Sequence, residues 1–338
     1  MPTETPGAYP VAPAEVAAGT CVIEAAIVEG HRKLALAHLG AAGGSWCLAS
    51  DEGAYLRGTD TAPAPLMHWA AGVHAELAHR AGARGTMTID FGYAVSGSFA
   101  QGRARGEAFA PEIRLGEAQD PAALDASPLH QAMRTPLANT FALYVNGRRR
   151  SVTGVASSAA PDEEDPFLKH GGAPQALHEP RPPLIGKEPL DPEAKIFSMP
   201  VSTGGLRFAS RVEGVLEDGL VRNAVTFPGI PASRFTFVAD ALGRRAPSGL
   251  AYAWAGVAFC YLTQISRYIE ARKLGVSAAR LVQRGPLAGP VDTHLFLNGA
   301  AEEGTMQELL AIAAGTCYLH VTLAGSLVPT VHTVANRG

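Results

Sequence analysis

The chain has 338 residues, 47% of them hydrophobic, and a formal net charge of −3. That is enough chain for two domains of ordinary size and enough apolar material for sizeable cores. The near-balanced charge gives no electrostatic reason to expect nucleic acid or an anionic membrane as partner.

In chain order, the N-terminal stretch MPTETPGAYPVAPAEVAAGT lacks the basic and apolar regions that secretion requires. The runs CVIEAAIVEG and RKLALAHLG read as strands, followed by a turn-rich region and a helix from Pro65 to Ala81. Another strand-like stretch, GTMTIDFGYAVSGSFAQG, leads to a helical run from Ala122 to Met133 and a last strand, FALYVNG. From Ser151 to Lys195 the chain is rich in proline, glycine and acidic residues, which predicts an extended connector on which Phe167, Leu184 and Ile185 could dock.

The second half repeats the order. LRFASRVEGVLEDGLV and FTFVADALG read as strands, and a long helix runs from Ser248 to Leu274. Ser248 is placed to cap its start, Arg272 and Lys273 fall in its last turn, and Gly275 stands at the C′ position. Its first half, GLAYAWAGVAFCYL, is apolar on every face and must be surrounded by protein. It is also the longest apolar run, too short to cross a bilayer. DTHLFLNG, a helix from Glu303 to Leu323 and a strand TVHTVAN complete the half. Matching Trp69 to Trp254 overlays the two long helices, with Ala75 on Cys260 and Leu77 on Leu262. The reading is an α+β fold of two related modules, residues 20–150 and 196–338, joined by the connector at 151–195 and descended from an internal duplication.

A cytoplasmic location is expected, and there four cysteines are thiols whose disulfides are catalytic or redox-sensing. Cys260 lies mid-helix in WAGVAFCYLTQ, and Cys317 opens a Cys-x-x-His stretch in AIAAGTCYLHVTL with His320. In this pairing the second half resembles the OsmC/Ohr family of osmotically inducible and organic hydroperoxide reductase-like proteins, with residues 20–150 as a degenerate copy. The resemblance implies two tandem modules folded as an intramolecular pseudo-dimer, with central helices between antiparallel sheets. It further implies a thiol peroxidase in which Cys260 attacks the hydroperoxide and Cys317 resolves the sulfenic acid. Ala75 and, near TPLANTF, Pro136 hold the corresponding positions of the silent copy. The family supports its thiolate with an arginine held by a glutamate, but APSGLAYAW has no carboxylate at the corresponding place. Arg244 and Arg245 just ahead of the helix, or Arg57 from the first half, could supply the cation.

The implied partners are a small-molecule hydroperoxide or other apolar substrate and a dithiol reductant, with a homodimer as the candidate assembly. Neither nucleic acid nor membrane is expected as a partner, and neither a cofactor nor a metal is expected. Against this stand plainer readings. Cys260 alone fits a buried helix cysteine, and Cys317 with His320 fits half a zinc site or a thiol beside a core histidine. His68, His74 and His79 share the first helix without a clean metal spacing, although a His74 facing Cys260 would serve as its base. Cys21 and Cys47 have no motif. A specialised small-molecule-binding protein or a non-peroxidatic cysteine enzyme on the same fold remains the alternative function.

Overall fold

Alternating and β-branched runs build two mixed sheets, and five α-helices accompany them among the described residues. The computed structural model describes residues 8–40, 43–81, 86–116, 121–166, 183–188, 206–286 and 290–333. In chain order the first half contains β1 (Ala8–Pro10), β2 (Thr20–Glu29), β3 (Arg32–Leu39), β4 (Ser45–Ser50), α1 (Pro65–Ala81), β5 (Met87–Ser96) and β6 (Arg105–Leu115). Then come α2 (Pro128–Arg134), β7 (Asn139–Val145), β8 (Arg148–Arg150), β9 (Ala156–Ser157) and β10 (Ile185–Glu188). The remainder holds β11 (Leu206–Glu217), β12 (Leu220–Thr226), β13 (Arg234–Asp240), α3 (Gly249–Arg272), β14 (Val276–Pro286) and β15 (Val291–Gly299). It ends with α4 (Glu303–Thr316), α5 (Tyr318–Ala324) and β16 (Thr330–Thr333).

Both sheets mix strands from the two halves. One runs β1-β4-β3-β2-β14-β15-β7-β8, with β9 also on β7, and the other β10-β13-β12-β11-β5-β6-β16. Pairing is antiparallel except where β15 and β9 meet β7 and where β16 meets β6. Between the sheets, α3 packs on β2, β3 and β14, while α1 packs on β5, β11 and β12.

The two long helices also pack on each other, antiparallel and very close. A Cβ at Gly72 would lie 2.4 Å from the Gly249 carbonyl oxygen, and one at Gly256 would lie 2.7 Å from the Trp69 nitrogen. Glycine is needed at both because backbone occupies the space a side chain would take. Trp69 and Trp254 meet edge to face at this crossing, centroids 6.5 Å apart. The all-apolar face of α3 is thus covered on one side by a sheet and on the other by α1.

Several boundaries differ from the sequence reading. The Ser248 hydroxyl does cap α3, accepting from the Ala251 N–H at 3.1 Å. The helix ends on Lys273 in the left-handed conformation at φ 52°, however, not by a reversal at Gly275. The run expected as one helix over 122–133 is a 3-10 turn, Pro121–Ala126, and then α2, because Ser127 caps a new start with Pro128 behind it. The helix expected over 303–323 breaks at Cys317, whose ψ of 109° is extended. β4 forms in the region read as turns. β14 was also unforeseen: its Arg280 and Arg284 break the apolar pattern and form ion pairs with Asp165 and Glu163 of the connector. Leu184 and Ile185 are buried where β10 joins the edge of β13, while Phe167 lies outside the described residues.

Candidate functional site

Cys260 stands mid-way along α3 with 4% of its surface exposed. It opens into a cavity of about 40 Å³ walled mainly by Tyr55, Tyr93, Phe208, Phe227 and Tyr318. Half-buried Leu56 and Leu66 stand on the same wall. Tyr93 comes from β5, Phe208 from β11, Tyr318 from α5, Phe227 from just past the end of β12 and Tyr55 from a 3-10 turn at Ala54–Leu56.

A buried polar line runs past the thiol. Lys33, on β3, is 1% exposed. Its Nζ donates to the Thr263 hydroxyl at 2.8 Å and to the His31 carbonyl at 2.7 Å. Thr263 in turn donates to Glu52 Oε1 at 2.8 Å, and the Tyr55 hydroxyl donates to Glu52 Oε2 at 2.8 Å. Lys33 Nζ and Glu52 Oε1 are 4.0 Å apart. Taking a lone ammonium out of water costs several kcal/mol, so the carboxylate and hydroxyl are what make this lysine tolerable. Burial pushes the Lys33 ammonium below its usual range, opposed by charge on Glu52, Asp51 and the Cys260 sulfur. Arg267, two turns after Cys260, also lines the cavity. Burial lowers its pKa too, against the pull of Tyr93, Glu52, Tyr268 and Cys260. Both cations therefore lie within electrostatic reach of the Cys260 sulfur.

The second thiol arrives from the break between α4 and α5. Tyr93 donates to the Thr316 carbonyl at 2.9 Å and Tyr261 to the Leu310 carbonyl at 3.0 Å, tying β5 and α3 to that segment. Burial chiefly raises the Cys317 pKa well above the thiol range, and a side-chain hydrogen bond and charge interaction with Cys260 raise it further. Cys317 is therefore held as S–H beside the other sulfur. The two are free thiols. Behind Cys317, the Gln283 amide donates to Thr293 Oγ1 at 2.9 Å and reaches His320 Nε2 at 3.2 Å. With that amide orientation the imidazole proton sits on Nδ1, 3.1 Å from Cys317 Sγ. Burial pushes His320 down to about 3, so the ring is neutral. The donors then all run one way, from Gln283 through His320 and Cys317 to Cys260.

The structure thus brings Cys260, Cys317 and His320 together, and it corrects the other expectations. Arg244 and Arg245 are not cavity residues. Their backbone N–H groups point to Asp240, and the Arg245 guanidinium reaches the Asp218 and Gly219 carbonyls. Arg57 pairs with Glu270 at 3.0 Å, 83% exposed. His74 is not a base for Cys260. Antiparallel packing puts Gly72 beside Gly249, the first residue of α3 and eleven positions before Cys260, and His74 Nε2 instead meets the Met87 carbonyl at 2.6 Å. Among the described residues no cluster of three or more His, Cys, Asp and Glu side chains could hold a metal, and Cys317 with His320 gains no further ligand pair.

Lys33, Glu52, Thr263 and Arg267 are the functional groups that sequence reasoning missed. The carboxylate at this cavity, Glu52, comes from the first half of the chain. One signal was available: Lys33, in the strand RKLALAHL, precedes the apolar run LALA at an inward position. No family model matches this chain, and comparison with curated proteins and with solved structures gives no significant match.

Proposed function

We propose that this chain is a thiol-dependent peroxidase built as an OsmC/Ohr-like intramolecular pseudo-dimer, with Cys260 as attacking thiol and Cys317 as resolving thiol. The observation that carries the chemistry is the interaction of Cys317 with Cys260 beside two cations, with His320 Nδ1 3.1 Å behind the Cys317 sulfur.

The strand orders support the pseudo-dimer. Exchanging β1–β4 with β10, β11, β12 and β13, β5 with β14, β6 with β15 and β7 with β16 converts the core order of one sheet into that of the other. The parallel pair β15–β7 then maps onto β6–β16. Trp69 and Trp254 meet each other, as equivalent residues do on a twofold axis. Under the same exchange Cys260 corresponds to Ala75, so the chain carries one thiol site.

The reaction follows from these groups. The Cys260 thiolate attacks the terminal oxygen of R–O–O–H, the O–O bond breaks, and Cys260 becomes a sulfenic acid while the alkoxide takes a proton and leaves as R–OH. Lys33 and Arg267 offset the negative charge as it moves from sulfur to oxygen. The Cys317 sulfur then attacks the sulfenic sulfur, forming the disulfide and releasing water. An external dithiol reduces that disulfide and is itself oxidised.

Treatment of the reduced protein with one equivalent of cumene hydroperoxide should remove two hydrogens by intact mass. Cys317→Ser should instead accumulate a sulfenic acid on Cys260. Unchanged thiol content would remove the peroxidase reading. Activity that needs Cys260 but survives in Cys317→Ser without oxidation would favour a non-peroxidatic cysteine enzyme.

A further inference from the structure

Arg267 is the one charged group at the cavity whose role the thiol chemistry does not exhaust. It follows Cys260 by seven residues on α3, two turns along the same face and about 10 Å along the axis. Its guanidinium carbon lies 3.6 Å over the Phe99 ring, and Nη1 donates to Gln264 Oε1 at 3.2 Å. A guanidinium has five N–H donors, and among the described residues no carboxylate is within ion-pair reach of this one. The neighbouring cations are each matched: Lys33 with Glu52, Arg57 with Glu270 and Arg272 with Glu308. Lys33 is matched by Glu52, which leaves Arg267 as the cavity cation with no ion-pair partner among the described residues, held over a ring and facing a cavity lined mainly by aromatic side chains. A planar guanidinium in that setting is suited to a two-pronged bond with a carboxylate.

We infer that this cavity takes a slender apolar ligand bearing a single carboxylate, with the carboxylate on Arg267 and the opposite end at Cys260. The walls set the rest of the ligand: Tyr93 packs on Tyr318 with centroids 4.7 Å apart and Tyr55 on Phe208 at 5.8 Å, so the rings present a continuous apolar surface suited to an aliphatic chain. A cavity of about 40 Å³ holds about three waters, so the chain is short or extends outward past Leu56 and Leu66. As a statement about substrate, a hydroperoxide with a carboxylate at its far end, this rests on the peroxidase reading. As a statement about binding it stands alone.

The test uses the full-length reduced protein with hexanoate and, as the uncharged match, hexanamide, followed by ligand-observed NMR titration. Hexanoate should bind at least about tenfold more tightly than hexanamide, a difference of about 1.4 kcal/mol. Arg267→Gln should abolish that preference, and Arg267→Lys should keep part of it through charge alone. Equal binding of acid and amide, no binding of either, or an undiminished preference in Arg267→Gln would each overturn the inference. In a second arm, 6-hydroperoxyhexanoate and hexyl hydroperoxide are compared as oxidants of the wild-type protein. Failure of both to oxidise it, with hexanoate still bound through Arg267, rejects the peroxidase reading and leaves the carboxylate site standing. Oxidation by both with equal KM rejects the substrate assignment alone.

Discussion

Glu52, in the loop after β4, accepts a 2.8 Å hydrogen bond from the hydroxyl of Thr263 on α3, across 211 positions of sequence. That one bond links the loop of the first half to the helix that carries Cys260. It also completes the pairing of a lysine with no access to water. A carboxylate, a hydroxyl and an ammonium, each costly to bury alone, are placed so that each satisfies the next.

Glu52→Gln leaves the Lys33 ammonium in the core without its counter-charge. The expected loss is about 3–5 kcal/mol of unfolding free energy, read from urea denaturation. Pairing that change with Lys33→Met should recover a large part of it, since the double variant buries no charge. Simple additivity of the two single losses would refute the coupling.

Lys33→Met and Arg267→Gln each remove one cation within electrostatic reach of the Cys260 sulfur. Alkylation of Cys260 by iodoacetamide at neutral pH should slow by about tenfold in either, the effect of losing about 1.4 kcal/mol of charge interaction at the reacting sulfur. Rates equal to wild type in both variants would show that the thiolate is supported from elsewhere.

Acid should destabilise the fold through three buried imidazoles. Burial pushes His68 and His320 down to about 3 and His74 to about 4, from the ordinary value of 6.5. Each folded pKa lies below the unfolded one, so the unfolded chain binds more protons in between. The stability they contribute is present above about pH 6.5 and is lost as pH falls toward 4, by up to about 1.4 kcal/mol per pH unit for each histidine. Urea midpoints measured across that range test this. His68→Gln should flatten the slope by one proton.

Gly256→Val places a side chain where the Trp69 and Pro65 backbones already are, with its Cβ 2.7 Å from the Trp69 nitrogen. The helices cannot separate without opening the Trp69–Trp254 contact. A loss of about 3 kcal/mol or more is expected, visible as a fall in Tm or in soluble yield. A variant as stable as wild type would mean that the crossing is looser than drawn here.

Much of this arrangement is written in local sequence. α1 occupies Pro65–Ala81 as its composition predicts, and α3 starts on its Ser248 cap. His320 lies where a Cys-x-x-His turn puts it, its Nδ1 3.1 Å from Cys317 Sγ, whereas nothing in the residues themselves pointed from Cys260 to Cys317. What was not legible depends on tertiary contact. Arg244 and Arg245 were attractive because they are near α3 in sequence, yet their loop turns back to Asp240. Lys33 and Glu52 carry no local mark of belonging to Cys260, because only the packing of β3 and the loop after β4 on α3 brings them there. The break at Cys317 was equally hidden, since Gly315, the one local breaker, lies inside α4 and no proline follows it before α5.

The stitching of β2 to β14 has a consequence for how the chain is made. Arg280 pairs with Ala26 in that ladder, so one of the earliest strands to emerge from the ribosome waits for one of the last. Until then the open flanks of β2 and β5 offer unpaired amides and carbonyls to any passing strand. Topology of this kind slows folding and favours assistance during synthesis. Once the ladders close, neither half keeps a complete sheet of its own, and loss of structure is expected to be a single event for the whole polypeptide.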